Sequence, residues 1–228
     1  MNAPNRYKSN PLLGHGPTVL WAMAAGGILW IVYGYFRFMT PQGPDVEWRE
    51  ELGYSPILST DLFLLYNVPG VLALLLTLWA TLSYVHCLRT EHTRLKRAAW
   101  ITALLASVLG LIATVGQVIL FDPLKTFGLA VGTPILGLAI FFVGLAVIRD
   151  GKTSNGPSPL VGLVLMLLGV IGMFTLPLRP LMFALSLLPL AFGAAAFTLF
   201  GASWILLASS LRKMPEWRTE RPIRSATA

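Results

Sequence analysis

The 228-residue chain has little charge, one cysteine, three histidines and ten acidic residues. Charged residues of both signs make up 12%, against about 25% in soluble domains. That is too few to cover a water-facing surface. With 55% apolar residues and a mean hydropathy of +0.70, the class is integral membrane protein. A lone Cys87 excludes an intramolecular disulfide and reads as a small apolar filler. Of His15, His86 and His92, only His86 falls in an apolar run. Haem held by two axial histidines inside a bundle needs two there, so a b-type cytochrome is discarded. No cluster of His, Cys, Asp and Glu has zinc-ligand spacing, and neither metal nor cofactor is expected.

The centres of the apolar runs also lack Asp, Glu, Lys, Arg and His. Proton pumps and many ion-coupled carriers depend on buried ionisable groups, so that class is weakened. No acid–base pair is visible for a lipid- or quinone-modifying enzyme, and the chain leans towards a non-enzymatic role. The net charge of +7 does not point to nucleic acid. The basic residues sit in short segments between apolar runs, which is a pattern of membrane topology.

A spanning helix needs about 20 mostly apolar residues. Six runs approach that length, at about 17–38, 62–87, 98–121, 127–148, 159–177 and 181–211. The expected fold is an all-α integral membrane protein, a six-transmembrane-helix bundle of three αα-hairpins. Residues 1–16 form an N-terminal segment, 17–211 the transmembrane domain, and 212–228 a basic tail. With the N-terminus in the cytoplasm, cytoplasmic segments carry 13 Lys and Arg and outer segments carry 4: Arg37, Arg49, Lys125 and Arg179. That is a strong positive-inside asymmetry. It puts both termini on the cytoplasmic side of a cytoplasmic (inner) membrane.

The largest outer segment, residues 39–61, holds half of the acids: Asp45, Glu47, Glu50, Glu51 and Asp61. Asp45 is expected to cap a short helix to about Leu52, and the four acids from Asp45 to Glu51 offer a partner-facing surface. The returning helix of each hairpin carries a proline, Pro69, Pro134 or Pro189. Each is expected to bend its helix, because proline supplies no N–H. Spans four and six also align at a shift of 57, which matches Gly144 with Gly201 and Pro123 with Pro180.

Lipid tails are as apolar as Leu, so helices associate through close backbone approach and a few polar contacts. Small residues stand at the needed spacings: Ala22 and Gly26, Gly27 and Gly34, Ala103, Ser107, Gly110 and Ala113, and Gly162 and Gly169. Two amides break the apolar runs, Asn67 and Gln117. They fall at similar depth. They are expected to bond each other or the carbonyl freed near Pro69, or else to line an outward-facing pocket with Tyr66, Trp30 and Tyr33. Apolar walls with a few convergent polar groups suit a small neutral ligand.

Two resemblances follow from these residues. "GASW" at 201–204 resembles the serine motif of rhomboid-type intramembrane proteases, but no histidine follows Ser203 to act as its base. The layout of six spans, cytoplasmic termini and a long first outer loop is similar to the substrate-binding subunits of energy-coupling-factor vitamin transporters. That resemblance implies a small-residue docking motif on the first helix. Here "AMAAG" offers only Ala22 and Gly26 at that spacing.

Three functions follow in order. The first is a non-enzymatic subunit or accessory of a membrane complex, with other membrane subunits or further copies of itself as partners in the bilayer. The second is a carrier, or a substrate-binding transporter subunit, for a small neutral or lipophilic molecule. The third is a lipid- or quinone-modifying enzyme.

Overall fold

The computed structural model describes residues 16–39, 57, 59–88, 90, 92–150, 159–175 and 189–212. They form six α-helices: α1 Gly16–Phe38, α2 Thr60–Cys87, α3 Thr93–Val118, α4 Asp122–Asp150, α5 Pro159–Phe174 and α6 Pro189–Arg212. No strand occurs among the described residues. Five of the helices are long and apolar enough to cross a membrane, and α5, at 16 residues, is shorter. Asp45, Glu47, Glu50, Glu51, Arg179 and the basic tail beyond Arg212 lie outside the described residues.

Each helix packs against its neighbours in the chain, α6 packs on α1, and α2 also reaches α4. The glycine contacts give the directions. Gly26 faces Thr77 of α2 and Gly70 faces Tyr33 of α1, so α1 and α2 run antiparallel. Likewise Gly27 meets Gly201 and Gly34 meets Ala194 across α1 and α6, and Gly144 meets Gly162 while Gly137 meets Gly169 across α4 and α5. The ends at which α1 and α3 finish and α2 and α4 begin therefore share one side of the molecule, called the upper side below.

The boundaries differ from the expected runs for local reasons. Helix α3 starts at Thr93, before the apolar run, because its first turn is basic yet still helical. It also ends earlier, at Val118. Leu120 there has φ 56°, the left-handed region. The Phe121 N–H donates to the Gly116 carbonyl (2.8 Å) and the Leu120 N–H to the Gln117 carbonyl (3.4 Å). This is a Schellman ending, normally built on glycine. Helix α4 then starts at Asp122, with Pro123 suited to the first turn by its fixed φ. At the lower side, Lys96 donates to the Leu88 carbonyl (2.6 Å), so a cation meets the C-terminal end of α2.

Helices α2 and α4 continue through Pro69 and Pro134. Pro189 opens α6, and the residues before it lie outside the described segments. Helix α3 buries Ala99, Ala103, Ala106, Gly110, Ala113 and Gly116. Ser107 falls beside that stripe, half-buried, and donates to the Ala103 carbonyl. The opposite face exposes Leu104, Leu105, Val108, Leu111 and Val115, which suits lipid.

The small-residue stripes are used within the chain. A methyl on Gly128 would lie 2.5 Å from the Ala113 nitrogen, and one on Gly137 would lie 2.5 Å from the Met173 nitrogen and 2.6 Å from the Gly169 carbonyl. One on Gly27 would lie 2.5 Å from the Gly201 carbonyl. Glycine is required at these points because another backbone occupies the space of a Cβ. The Gly144–Gly201 match at a shift of 57 has a counterpart here, since both glycines meet a glycine of a neighbouring helix.

Candidate functional site

Four buried polar residues, Asn67, Gln117, Asp122 and Lys125, lie where α2, α3 and α4 meet at the upper side. Asn67 is fully buried one to two turns into α2, and Lys125 is 1% exposed in the first turn of α4. The Lys125 ammonium donates to Asn67 Oδ1 at 2.7 Å and pairs with Asp122 Oδ1 at 2.6 Å. It also lies 5.4 Å from the centroid of the Phe63 ring, within cation–π range. Asn67 Nδ2 donates to the Phe63 carbonyl at 2.9 Å, and the Thr126 hydroxyl bonds Asp122 Oδ1 at 3.2 Å.

Local sequence explains the placement. Asp122 and Pro123 start α4, and an acid is favoured at a helix N-terminus. One turn later, Lys125 falls at i+3 from Asp122, on the same face. Gly116 lies directly against the Lys125 backbone, so α3 and α4 touch main chain to main chain there. That contact holds the start of α4 inside the protein rather than in a loop.

Lys125 therefore corrects the assignment to an outer loop, and Asp122 joins it in the protein interior. Both stand in the first turn of α4, at the edge of the apolar run rather than at its centre. A lone ammonium buried away from water is costly unless it is paired and hydrogen-bonded. Here the paired carboxylate and the Asn67 oxygen offset the cost of burial, and the pair as a whole carries no net charge.

Gln117 is 7% exposed, and neither its Nε2 nor its Oε1 has a hydrogen-bond partner. Asp122 Oδ2 is buried and equally unpartnered. The packing register sets the level of Gln117. Gly110 abuts Leu78 and lies near Leu74. Gln117 is seven residues further along α3 on the same face, which brings it to the turns of α2 that contain Asn67 and Pro69. The two amides thus share a level, as expected, but Asn67 is engaged by Lys125 and by the Phe63 carbonyl. A charged donor makes the stronger hydrogen bond, so the lysine holds the Asn67 oxygen.

The expected aromatic lining falls elsewhere. Trp30 stacks on Phe197 (5.2 Å, 15°) and Tyr33 meets Phe197 edge-on (5.1 Å, 86°), with Phe200 and Phe38 completing the group between α1 and α6. Tyr66 is half-buried and stacks on Phe36 at 6.1 Å. Of the five residues expected in one pocket, Trp30 and Tyr33 join the aromatic group, Tyr66 pairs with Phe36, and Asn67 and Gln117 share the level of the polar cluster. Near the middle of the bundle, a void of about 10 Å³ is lined by Met23, Thr81, Tyr84 and Trp204. It has room for about one water.

The other candidates have ordinary surroundings. Ser203 donates to the Leu199 carbonyl one turn back in its own helix (2.8 Å). His86 meets the Trp100 ring edge-on at 6.3 Å. Ala22 and Gly26 are buried, and Gly26 faces Thr77 within the chain.

The hydropathy pattern alone does not reveal Lys125 as a buried helical residue. The signal for it lay in "FDPLK": an Asp-Pro helix start puts a lysine three residues later on the first turn of a helix instead of in a loop. Compared with protein-family models, curated proteins and solved structures, the chain matches none of them.

Proposed function

We propose that the protein is a membrane-embedded carrier, or substrate-binding transporter subunit, for a small neutral molecule, with its site at the Asn67–Gln117–Lys125 cluster. One observation carries this reading: Gln117 is buried with both ends of its amide unpaired. A buried amide left unpaired loses the hydrogen bonds it had in water. Such a group persists where a partner fills it for part of a working cycle.

The surrounding topology supports an outward-facing site. With six spans and both termini in the cytoplasm of an inner-membrane protein, the upper side faces outward. The concentration of Lys and Arg in the segments taken as cytoplasmic, 13 of 17, favours that orientation. A subunit role in a larger complex has less support, because the small-residue faces touch other helices of the same chain. Such a role would rest on the acidic segment of Asp45, Glu47, Glu50 and Glu51.

The test is solute uptake or binding with Gln117→Leu and Asn67→Leu, alongside measurements of insertion and folding. Both variants are expected to insert and to lose uptake or binding. Unchanged transport by both variants overturns the site.

A further inference from the structure

The chemistry of the cluster also specifies a ligand class, and this inference rests on the small-molecule reading above. The Lys125 ammonium is directed at Asp122 Oδ1, Asn67 Oδ1 and the Phe63 ring. Among the described residues its charge faces the Asp122 carboxylate, and that pair is neutral as a unit. A charged ligand entering this buried place would add an uncompensated charge, which is strongly unfavourable away from water.

The unused hydrogen-bonding capacity is specific. Gln117 Nε2 offers donors, Gln117 Oε1 an acceptor, and Asp122 Oδ2 a further acceptor. The complement is a molecule that presents an acceptor together with more than one N–H or O–H. We propose that the cluster binds a small, uncharged ligand carrying a primary amide or the equivalent urea group, paired head-to-tail with the Gln117 side chain. A primary amide meets Gln117 as one amide meets another, with one N–H···O bond in each direction. Its second N–H remains for the carboxylate oxygen. A ligand that only accepts would leave Gln117 Oε1 and Asp122 Oδ2 unpaired. One that only donates would leave the Gln117 N–H groups unpaired.

Four isosteric probes separate these cases: acetamide, acetate, acetamidinium and acetone. Each has four heavy atoms in one plane, so they differ in charge and hydrogen bonding rather than in size. So few atoms limit affinity to about 40 μM at best. The readout is the thermal midpoint of the purified full-length protein in mild detergent, titrated with each probe to about 100 mM. Acetamide is expected to raise the midpoint saturably, with the other three producing no saturable change. Gln117→Leu is expected to fold, to melt at or above the wild-type temperature, and to lose the acetamide response. Gln117→Met, closer in shape, provides the same comparison if the leucine variant does not fold.

Saturable stabilisation by acetate, acetamidinium or acetone but not by acetamide overturns the ligand class and leaves the small-molecule reading in place. An acetamide response that survives loss of the Gln117 amide overturns the site. Equal responses to all four probes, or none to any, overturn both the class and the reading beneath it.

Discussion

The α3–α4–α5 layer and the α1–α2–α6 layer achieve tight packing by different means. In the first, glycines allow main chain to meet main chain along much of the contact, at Gly116, Gly128, Gly137, Gly144, Gly162 and Gly169. In the second, Gly27 and Gly201 make one such contact, and above it the helices are separated by Trp30, Tyr33, Phe38, Phe197 and Phe200. Backbone contacts cannot yield, because no side chain is available to move. Ring contacts can yield, because each ring has rotational freedom and neighbours that can shift with it. The polar cluster lies where the layers meet, with Asn67 from the ring-packed layer and Lys125 from the glycine-packed one. A stiff layer fixes the ammonium, and a more adaptable one carries its amide partner.

The largest expected effect comes from breaking the bond between the layers. Lys125→Met leaves the Asp122 carboxylate buried without its cation, and removing one partner of a buried pair costs about 3–5 kcal/mol. The combined change Lys125→Met with Asp122→Leu removes both charges and is expected to recover most of that loss. Equilibrium unfolding in mixed micelles measures both. If the double variant is no more stable than the single one, the pair is not the joint described above.

Next in size is the contrast between glycines. Gly137→Ala places a methyl against the Met173 nitrogen and the Gly169 carbonyl, with no flexible side chain to move. Overpacking of this kind costs about 3 kcal/mol. Gly193→Ala meets the Phe38 ring at 2.7 Å, in the layer with adaptable rings, and should cost about 1 kcal/mol. Equal losses in the same unfolding assay would remove the distinction between the layers.

What was legible in the sequence follows the same division. Apolar run length is a local property, and it locates the six helices of the described residues. Helix ends depend on caps and turns that hydropathy does not see. Asp122–Thr126 and the first turn of α3 were therefore trimmed away, and Lys125 was lost with them. Asn67 and Gln117 stood out as polar residues in apolar runs, and their shared depth followed from topology. The partner of Asn67 does not follow, because the contact with Lys125 spans 58 positions of sequence. The aromatic residues show a similar limit. Trp30 and Tyr33 lie at suitable depth for a pocket, but Phe197 and Phe200 on a distant helix claim them.

Smallest in expected effect is a change at the hinge of the stiff layer. Leu120 adopts a left-handed conformation at the end of α3 that costs a non-glycine residue about 1–2 kcal/mol. Its side chain is largely exposed, so little packing is lost on its removal. Glycine relieves the strain, while the greater freedom of the unfolded chain returns part of the gain. Leu120→Gly is therefore expected to stabilise by about 0.5–1 kcal/mol, seen as a higher unfolding midpoint in the same micelles. The sign matters more than the size. If the α3–α4 turn is set by backbone contact at Gly116 and Gly128, relaxing Leu120 leaves Lys125 in place and stability rises. If the turn conformation itself positions Lys125, the added freedom at residue 120 loosens the ion pair and stability falls. A fall would transfer control of the polar cluster from the glycine contacts to the three-residue turn.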